Sequence, residues 1–205
     1  MIGVTARHAG IWRLHLAPRP ARGLPSAGVA RAESVVLLNT GHVKGKSSAA
    51  FGVMSRGWAR GWRVGVVQFI KGGEWNTGER KLAEHLGITW HTMGDGFTWD
   101  TKNPEQDRKT ARETWNLCCE KLRSGDYDML VFDEIVYVLS YGMLPVEEVL
   151  EEIRVTRERQ PSVHIVVTGR DAPKELIEAA DLVTEMTEVK HPFQAGIRAQ
   201  KGIEF

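Results

Sequence analysis

An apolar, strand-like run, Val35-Val36-Leu37-Leu38, opens into the loop Asn39-Thr40-Gly41-His42-Val43-Lys44-Gly45-Lys46-Ser47-Ser48 and then into a helix-like run, Ala49-Ala50-Phe51-Gly52-Val53-Met54. A strand, a glycine-containing loop ending in Gly-Lys-Ser, and a helix together form the usual cradle for the phosphates of a nucleotide. Backbone N–H groups and the N-terminus of the helix supply partial positive charge, Lys46 a full one, and Ser47 a hydroxyl for Mg²⁺. Thr40, Gly41, Lys44, Gly45 and Ser48 belong to the same loop and are candidates for nucleotide contact. A glycine turn with a solvated lysine is the plainer reading, but Lys44 and Lys46 converging on one helix N-terminus argue against it. Gly41 and Gly45 enclose three residues where the common motif has four. The loop is one residue short, so a triphosphate would be held differently from the way a hydrolytic enzyme holds it.

The remainder alternates strand and helix signals. Strand-like apolar runs fall at 35–38, 64–69, 88–92, 128–132 and 163–167, with a weaker one at 182–186. Helical periodicity falls near 46–60, 77–86, 104–124, 145–159 and 173–180. Pro104, Pro145 and Pro173 each stand where a first helical turn would begin, a place proline tolerates. Continuous hydrophobic strands separated by helices predict a doubly wound α/β domain. Its sheet is mainly parallel, of about six strands, with helices on both faces. That domain spans 34–205.

Residues 1–33 read differently. Arg7, Arg13, Arg19, Arg22 and Arg31 occur there, and no acidic residue precedes Glu33. This composition suits a transit peptide, an over-extended start or a mobile arm alike, and the expectation is a poorly ordered extension. The net charge of +1 over 205 residues gives no global basic field for nucleic acid. Cys118 and Cys119 are adjacent in a helix-like segment and cannot pair without distortion, which points to a reducing compartment. No apolar run approaches the length of a membrane span.

Other constellations carry chemistry. Leu130-Val131-Phe132-Asp133-Glu134 ends a buried strand in carboxylates, placed to hold Mg²⁺ directly or through water, with Ser47 as the other ligand. The alternative is that Asp133 caps the following helix while Glu134 is solvated. Two carboxylates also leave open an ATPase in which one activates water. In Gly94-Asp95-Gly96-Phe97-Thr98-Trp99-Asp100, the aromatics at i and i+2 either pack into the core or form a platform for a large planar ligand. Arg170, in Thr168-Gly169-Arg170-Asp171-Ala172-Pro173, either pairs with a phosphate oxygen or makes a surface ion pair with Asp171 or Glu175. From Lys190 to Phe205, pattern alone does not separate a structured tail from a loose terminus.

Taken together these residues resemble the corrinoid adenosyltransferases built on a phosphate-loop fold, ATP-dependent enzymes that make adenosylcobalamin. The matching blocks are Thr40-Gly41 with Lys44 to Ala50, Val64 to Gly72, Asn76 to Glu79, Gly96 to Trp99 and Asp133-Glu134. They continue through Val167 to Arg170, Ala180 to Met186, Lys190 to Phe193 and Gly202 to Phe205. The likeness runs over about 35–205 in one order with matching spacings, and the shortened phosphate loop is part of the pattern. The fold it implies is P-loop NTPase-like.

The implied activity is transfer of the 5′-deoxyadenosyl group of ATP to the Co(I) centre of a reduced corrinoid, with release of triphosphate. Lys46 and Glu134 would be the catalytic positions. Thr40, Gly41, His42, Lys44, Gly45, Lys46, Ser47, Ser48 and Arg170 would hold ATP. Ser47, Glu134 and Asp133 would hold Mg²⁺ (or Mn²⁺), and Phe97 and Trp99 would face the corrinoid and help displace its lower axial ligand. A flavoprotein reductant, a homodimer and a cytoplasmic location are expected, with no nucleic-acid or membrane partner; the arginine-rich start makes the mitochondrial matrix the minor alternative. The competing functions are a P-loop NTPase or kinase of the same fold, and a non-catalytic protein that binds corrinoid and ATP.

The chain departs from the family in places. His42-Val43 replaces Asn-Gly or Asp-Gly, and a β-branched residue held at positive φ costs about 1–3 kcal/mol. Either Val43 adopts an allowed conformation or the grip on triphosphate weakens, while His42 offers an added donor. Val136 stands where Asn or Thr is common. Residues 1–33 do not read as the polar N-terminal helix that covers the active site in many members.

Overall fold

A computed structural model describes residues 33–72, 77–94 and 103–203 of the chain. The extension read at 1–33 lies, but for Glu33, outside the described residues, as does most of the aromatic loop containing Phe97 and Trp99.

Six strands, β1 (Val36–Thr40), β2 (Val64–Gly72), β3 (Thr89–Gly94), β4 (Met129–Asp133), β5 (His164–Thr168) and β6 (Leu182–Glu185), form one sheet in the order β3-β2-β4-β5-β1-β6. Every pairing is parallel, so the mainly parallel expectation resolves to an entirely parallel sheet. Helices α1 (Lys46–Ala59), α2 (Gly78–His85), α3 (Pro104–Ser124), α4 (Ile135–Ser140), α5 (Val146–Arg159) and α6 (Lys174–Ala179) connect them. A 3₁₀ turn at Pro192–Ala195 lies in the C-terminal tail.

Alternation along each strand assigns the two faces. Val64, Val66, Met129, Val131 and Val166 pack with Ala50, Phe51 and Met54 of α1 and Ala83 of α2. Val67, Phe69, Leu130, Phe132, Ile165, Val167 and Leu38 point the other way, against Trp115 and Leu122 of α3, Val149 and Ile153 of α5, and α4. Val66, Val131 and Val166 lie in one lateral row, Val67, Phe132 and Val167 in the next, all fully buried. Each such side chain contributes about 1.5–3 kcal/mol by leaving water. Covering both faces is what makes these strands read as unbroken apolar runs rather than alternating ones.

Local signals set the helix ends. Pro104 is the first residue of α3, whose cap Asn103 accepts the Gln106 N–H at 3.3 Å. Pro145 and Pro173 sit one position earlier, as the caps of α5 and α6. The tight α4 has no counterpart among the periodic segments of the sequence. Ile135 through Leu139 are all buried, so no amphipathic stripe exists to betray it, and Ile-Val-Tyr-Val reads equally as strand. Among the described residues the edge strand β6 pairs only with β1, and it is exposed along its length.

From β1 the chain crosses over β5 and β4 to β2, and later returns to place β5 and β6 on either side of β1. Ligands of open parallel sheets bind beyond the carboxyl ends of the strands where the order reverses. The loops after β1, β4 and β5 meet at that edge.

Candidate functional site

The phosphate loop leaves β1 at Thr40 and enters α1 at Lys46 with Gly45 as helix cap. Gly41 (φ 104°) and Gly45 (φ 113°) both lie in the left-handed region, where glycine alone carries no Cβ penalty. Both also need the absence of a side chain for a second reason. A Cβ on Gly41 would stand 2.2 Å from the carbonyl oxygen of Met186, and one on Gly45 2.8 Å from the Met186 sulfur. The Met186 N–H donates to the Thr40 carbonyl at 2.9 Å, so the segment after β6 forms the floor of the cradle.

Val43 resolves differently from the strained alternative. Among the described residues the non-glycine positions with positive φ are Ile70, Glu134 and Asp171; Val43 is not one of them. It keeps an ordinary conformation, and its carbonyl accepts the Lys46 ammonium at 2.5 Å. The substitution of the usual glycine therefore imposes no backbone strain. Glu134 and Asp171 follow β4 and β5, and Ile70 lies near the end of β2 where its register with β3 shifts, at the same edge as the loop, where strain is commonly held for function.

A cleft of ≈ 220 Å³ lies over the loop, lined by Lys44, Gly45, Lys46, Ser47, Ser48, Glu134 and Arg170 together with Val43, Phe51, Thr77, Glu79, Tyr137 and Ile203. The first seven are residues singled out from sequence, brought together from three strand ends. Thr40, Gly41 and His42 do not line it: Thr40 and Gly41 support the loop from behind. His42 turns outward, its Nε2 3.0 Å from Asp171 Oδ1, with both side chains mostly exposed (73% and 59%). The expected extra phosphate donor is thus engaged with the β5–α6 loop, and Asp171 faces His42 while its neighbour Arg170 faces the cleft.

Lys46 is buried to 6% exposure. That burial holds its pKa below the usual lysine value, opposed by the negative charge of Glu134 and reinforced by the Arg170 cation. Across the cleft, Glu134 caps α4 at φ 65°, its N–H donating to Thr168 Oγ1 at 2.9 Å. Asp133 neither caps a helix nor lines the cleft. It is fully buried, accepting from Gln68 Nε2 at 2.7 Å and Thr168 Oγ1 at 2.8 Å. Tyr137, beside Glu134, has its pKa raised to about 12 by burial and by that carboxylate, so it stays a neutral phenol with a proton to donate. Val136 packs beneath: a Cβ on Gly169 (φ 146°) would come 2.6 Å from the Val136 Cβ, which requires glycine at 169; nothing in the structure explains valine at 136 in place of the usual Asn or Thr.

Several lining residues carried no role in the sequence reading. Phe51 is backed by Trp90, ring centroids 5.1 Å apart, giving the cleft an apolar wall. Thr77 and Glu79 open α2, and the Thr77 hydroxyl accepts the Arg80 N–H at 3.4 Å. The block Asn76 to Glu79 was the available signal for them. Ile203 reaches the cleft from the C-terminal tail while 82% exposed; Phe97 and Trp99 lie outside the described residues.

A parallel sheet with a strand–loop–helix phosphate cradle, a lysine at the helix start and a carboxylate opposite defines a nucleotide-binding protein of the phosphate-loop class. Of solved structures, flagellar accessory protein FlaH from Methanocaldococcus jannaschii is similar in fold, with a TM-score of 0.52 at 11% identity over 74% of this chain and 70% of that one. The profile described as ATP:corrinoid adenosyltransferase BtuR/CobO/CobP matches residues 32–205. The corrinoid adenosyltransferase of Escherichia coli (strain K12) is 42% identical over 182 residues, covering 87% of this chain and 91% of that protein. That of Pseudomonas aeruginosa is 45% identical over 175 residues, 83% of each. The chain belongs to the ATP:corrinoid adenosyltransferase family, and its activity is adenosyl transfer from ATP to a corrinoid. Among the described residues no helix is long and apolar enough to cross a membrane.

Proposed function

We propose that the acceptor is the Co(I) centre of a corrinoid, cobyrinic acid a,c-diamide or cobalamin. The observation that carries the reading is the convergence of Lys44, Lys46 and Arg170 with Ser47 and Glu134 around one cleft. Cationic groups there suit a departing triphosphate. Co(I) attacks the ribose C5′, the C5′–O bond breaks, and its electron pair leaves with the triphosphate. The protein's tasks are to hold C5′ in line and to stabilise charge on the leaving group. Lys46 and Arg170 do the second.

The residues fit Mg²⁺ (or Mn²⁺). Ser47 and Glu134 are hard oxygen donors, few in number, as suits an ion that retains waters and takes phosphate oxygens. Among the described residues no cluster of three or more His, Cys, Asp or Glu could hold a metal ion. Asp133, with both oxygens accepting hydrogen bonds, would act on the cation through water. Held by Ser47 and Glu134, such a cation would supply positive charge to the triphosphate. We further propose a homodimer, a cytoplasmic location, a flavoprotein electron donor, and Phe97 and Trp99 as the corrinoid-facing aromatics that displace the lower axial ligand.

Replacing Trp99 with Ala tests the corrinoid assignment. Turnover from Co(II) with a reductant is expected to fall by about tenfold or more relative to turnover from chemically prepared Co(I). Equal losses in the two assays would remove the ligand-displacement role.

A further inference from the structure

A single line of side-chain hydrogen bonds runs across four strands beneath the cleft. Trp90 Nε1 donates to Thr92 Oγ1 at 3.1 Å, and Thr92 Oγ1 to Gln68 Oε1 at 3.4 Å. That fixes the amide orientation of Gln68, whose Nε2 donates to Asp133 Oδ2 at 2.7 Å. From the other side Thr168 gives its hydroxyl proton to Asp133 Oδ1 at 2.8 Å and accepts the Glu134 N–H at 2.9 Å. Every donor points toward Asp133. A buried carboxylate with donors on both oxygens is held in one geometry, and the hydroxyl it orients is the one that grips the Glu134 backbone. Glu134 needs that grip, because at φ 65° a residue with a Cβ sits in a sparsely populated region that persists only when its surroundings impose it.

We infer that Gln68 and Thr168 are positioning residues: acting through Asp133 and the Glu134 N–H, they keep the Glu134 backbone left-handed and its carboxylate in the cleft. The inference rests on the reading of Glu134 as the protein carboxylate for the nucleotide's cation. Without the Thr168 hydroxyl the backbone of Glu134 relaxes toward a common conformation and its carboxylate leaves the cleft. Without Gln68, Asp133 loses one of its two anchors and holds the Thr168 hydroxyl less well, so the effect is in the same direction and smaller.

The test is Mn²⁺ binding to the full chain with ATP, followed by electron paramagnetic resonance, with no corrinoid present so that no adenosyl transfer occurs. Thr168→Val, which keeps the shape and removes the hydroxyl, is expected to weaken Mn²⁺ by about tenfold or more, as loss of an outer-sphere partner does. Thr168→Ser should stay within about twofold of wild type, and Thr168→Val added to Glu134→Gln should be no weaker than Glu134→Gln alone, within the scatter expected of independent effects. Thr168→Val with wild-type Mn²⁺ affinity and only a lowered melting temperature would make the network purely structural and overturn the inference. Additive losses in the double variant would overturn it too. If Thr168→Val does not fold, Gln68→Leu decides: an affinity unchanged from wild type overturns the inference. Should Glu134→Gln alone leave Mn²⁺ binding unchanged, the cation role of Glu134 itself is wrong, which is a different failure.

Discussion

Replacing Lys46 with Ala is expected to lower kcat by about 10²–10³-fold, the loss typical of removing one preorganised charge-stabilising group. The ammonium is buried, folded onto the Val43 carbonyl, and faces the same cleft as Glu134 and Arg170. Charge develops on the triphosphate as C5′–O breaks, and no other lysine in the cleft stands at the start of α1. Stability should not suffer. Burial lowers the Lys46 pKa in the folded chain, so charging it penalises folding. The penalty is complete below the folded-state pKa and fades as pH rises to the ordinary lysine value. Alanine at this position is therefore expected to melt at or above the wild-type temperature at neutral pH, while product formation collapses. An inactive variant that melts much earlier would mean Lys46 acts through the fold instead.

The second large effect is expected from Gly41→Ala. The new Cβ meets the Met186 carbonyl oxygen at 2.2 Å and its nitrogen at 2.7 Å, at a φ of 104°. Neither obstacle is a flexible side-chain tip. Met186 is tied to Thr40 by its N–H, and Thr40 pairs with Glu185 in the β1–β6 ladder, so relief requires breaking the sheet edge or lifting the loop. A loss of about 3 kcal/mol in unfolding free energy follows from backbone strain plus overpacking, and ATP affinity should fall with it. Gly52→Ala in the adjoining helix is the control: nothing lies within 4 Å of its Cβ, and alanine there should stabilise by about 0.5–1 kcal/mol. Denaturant titrations of both variants, with and without ATP, measure the contrast.

What the sequence made legible, and what it did not, follows from how far apart the partners stand. Strands β1, β2, β4 and β5 and the long helices α1, α3 and α5 could be read because covering both faces writes continuous apolar runs and amphipathic stripes into local segments. The meeting of Lys46, Ser47 and Glu134 in one cleft was readable because cradle and carboxylate each end a strand. By contrast α4 is buried on all sides and left no period. The support under Gly41 comes from Met186, the partners of Asp133 lie 65 residues before it at Gln68 and 35 after it at Thr168, and His42 finds Asp171. Those pairings exist only once the strand order β3-β2-β4-β5-β1-β6 puts distant positions side by side. The Val43 question needed one torsion angle, which no pattern of residue types supplies.

The alignment of Lys46, Arg170, Ser47 and Glu134 about one cleft has a direct chemical readout. Phosphorus NMR of an anaerobic mixture of the protein, MgATP and Co(I) cobalamin should show intact triphosphate, appearing in step with a light-sensitive cobalt–carbon product in the visible spectrum. ADP and inorganic phosphate, with no alkylated corrinoid, would contradict the account.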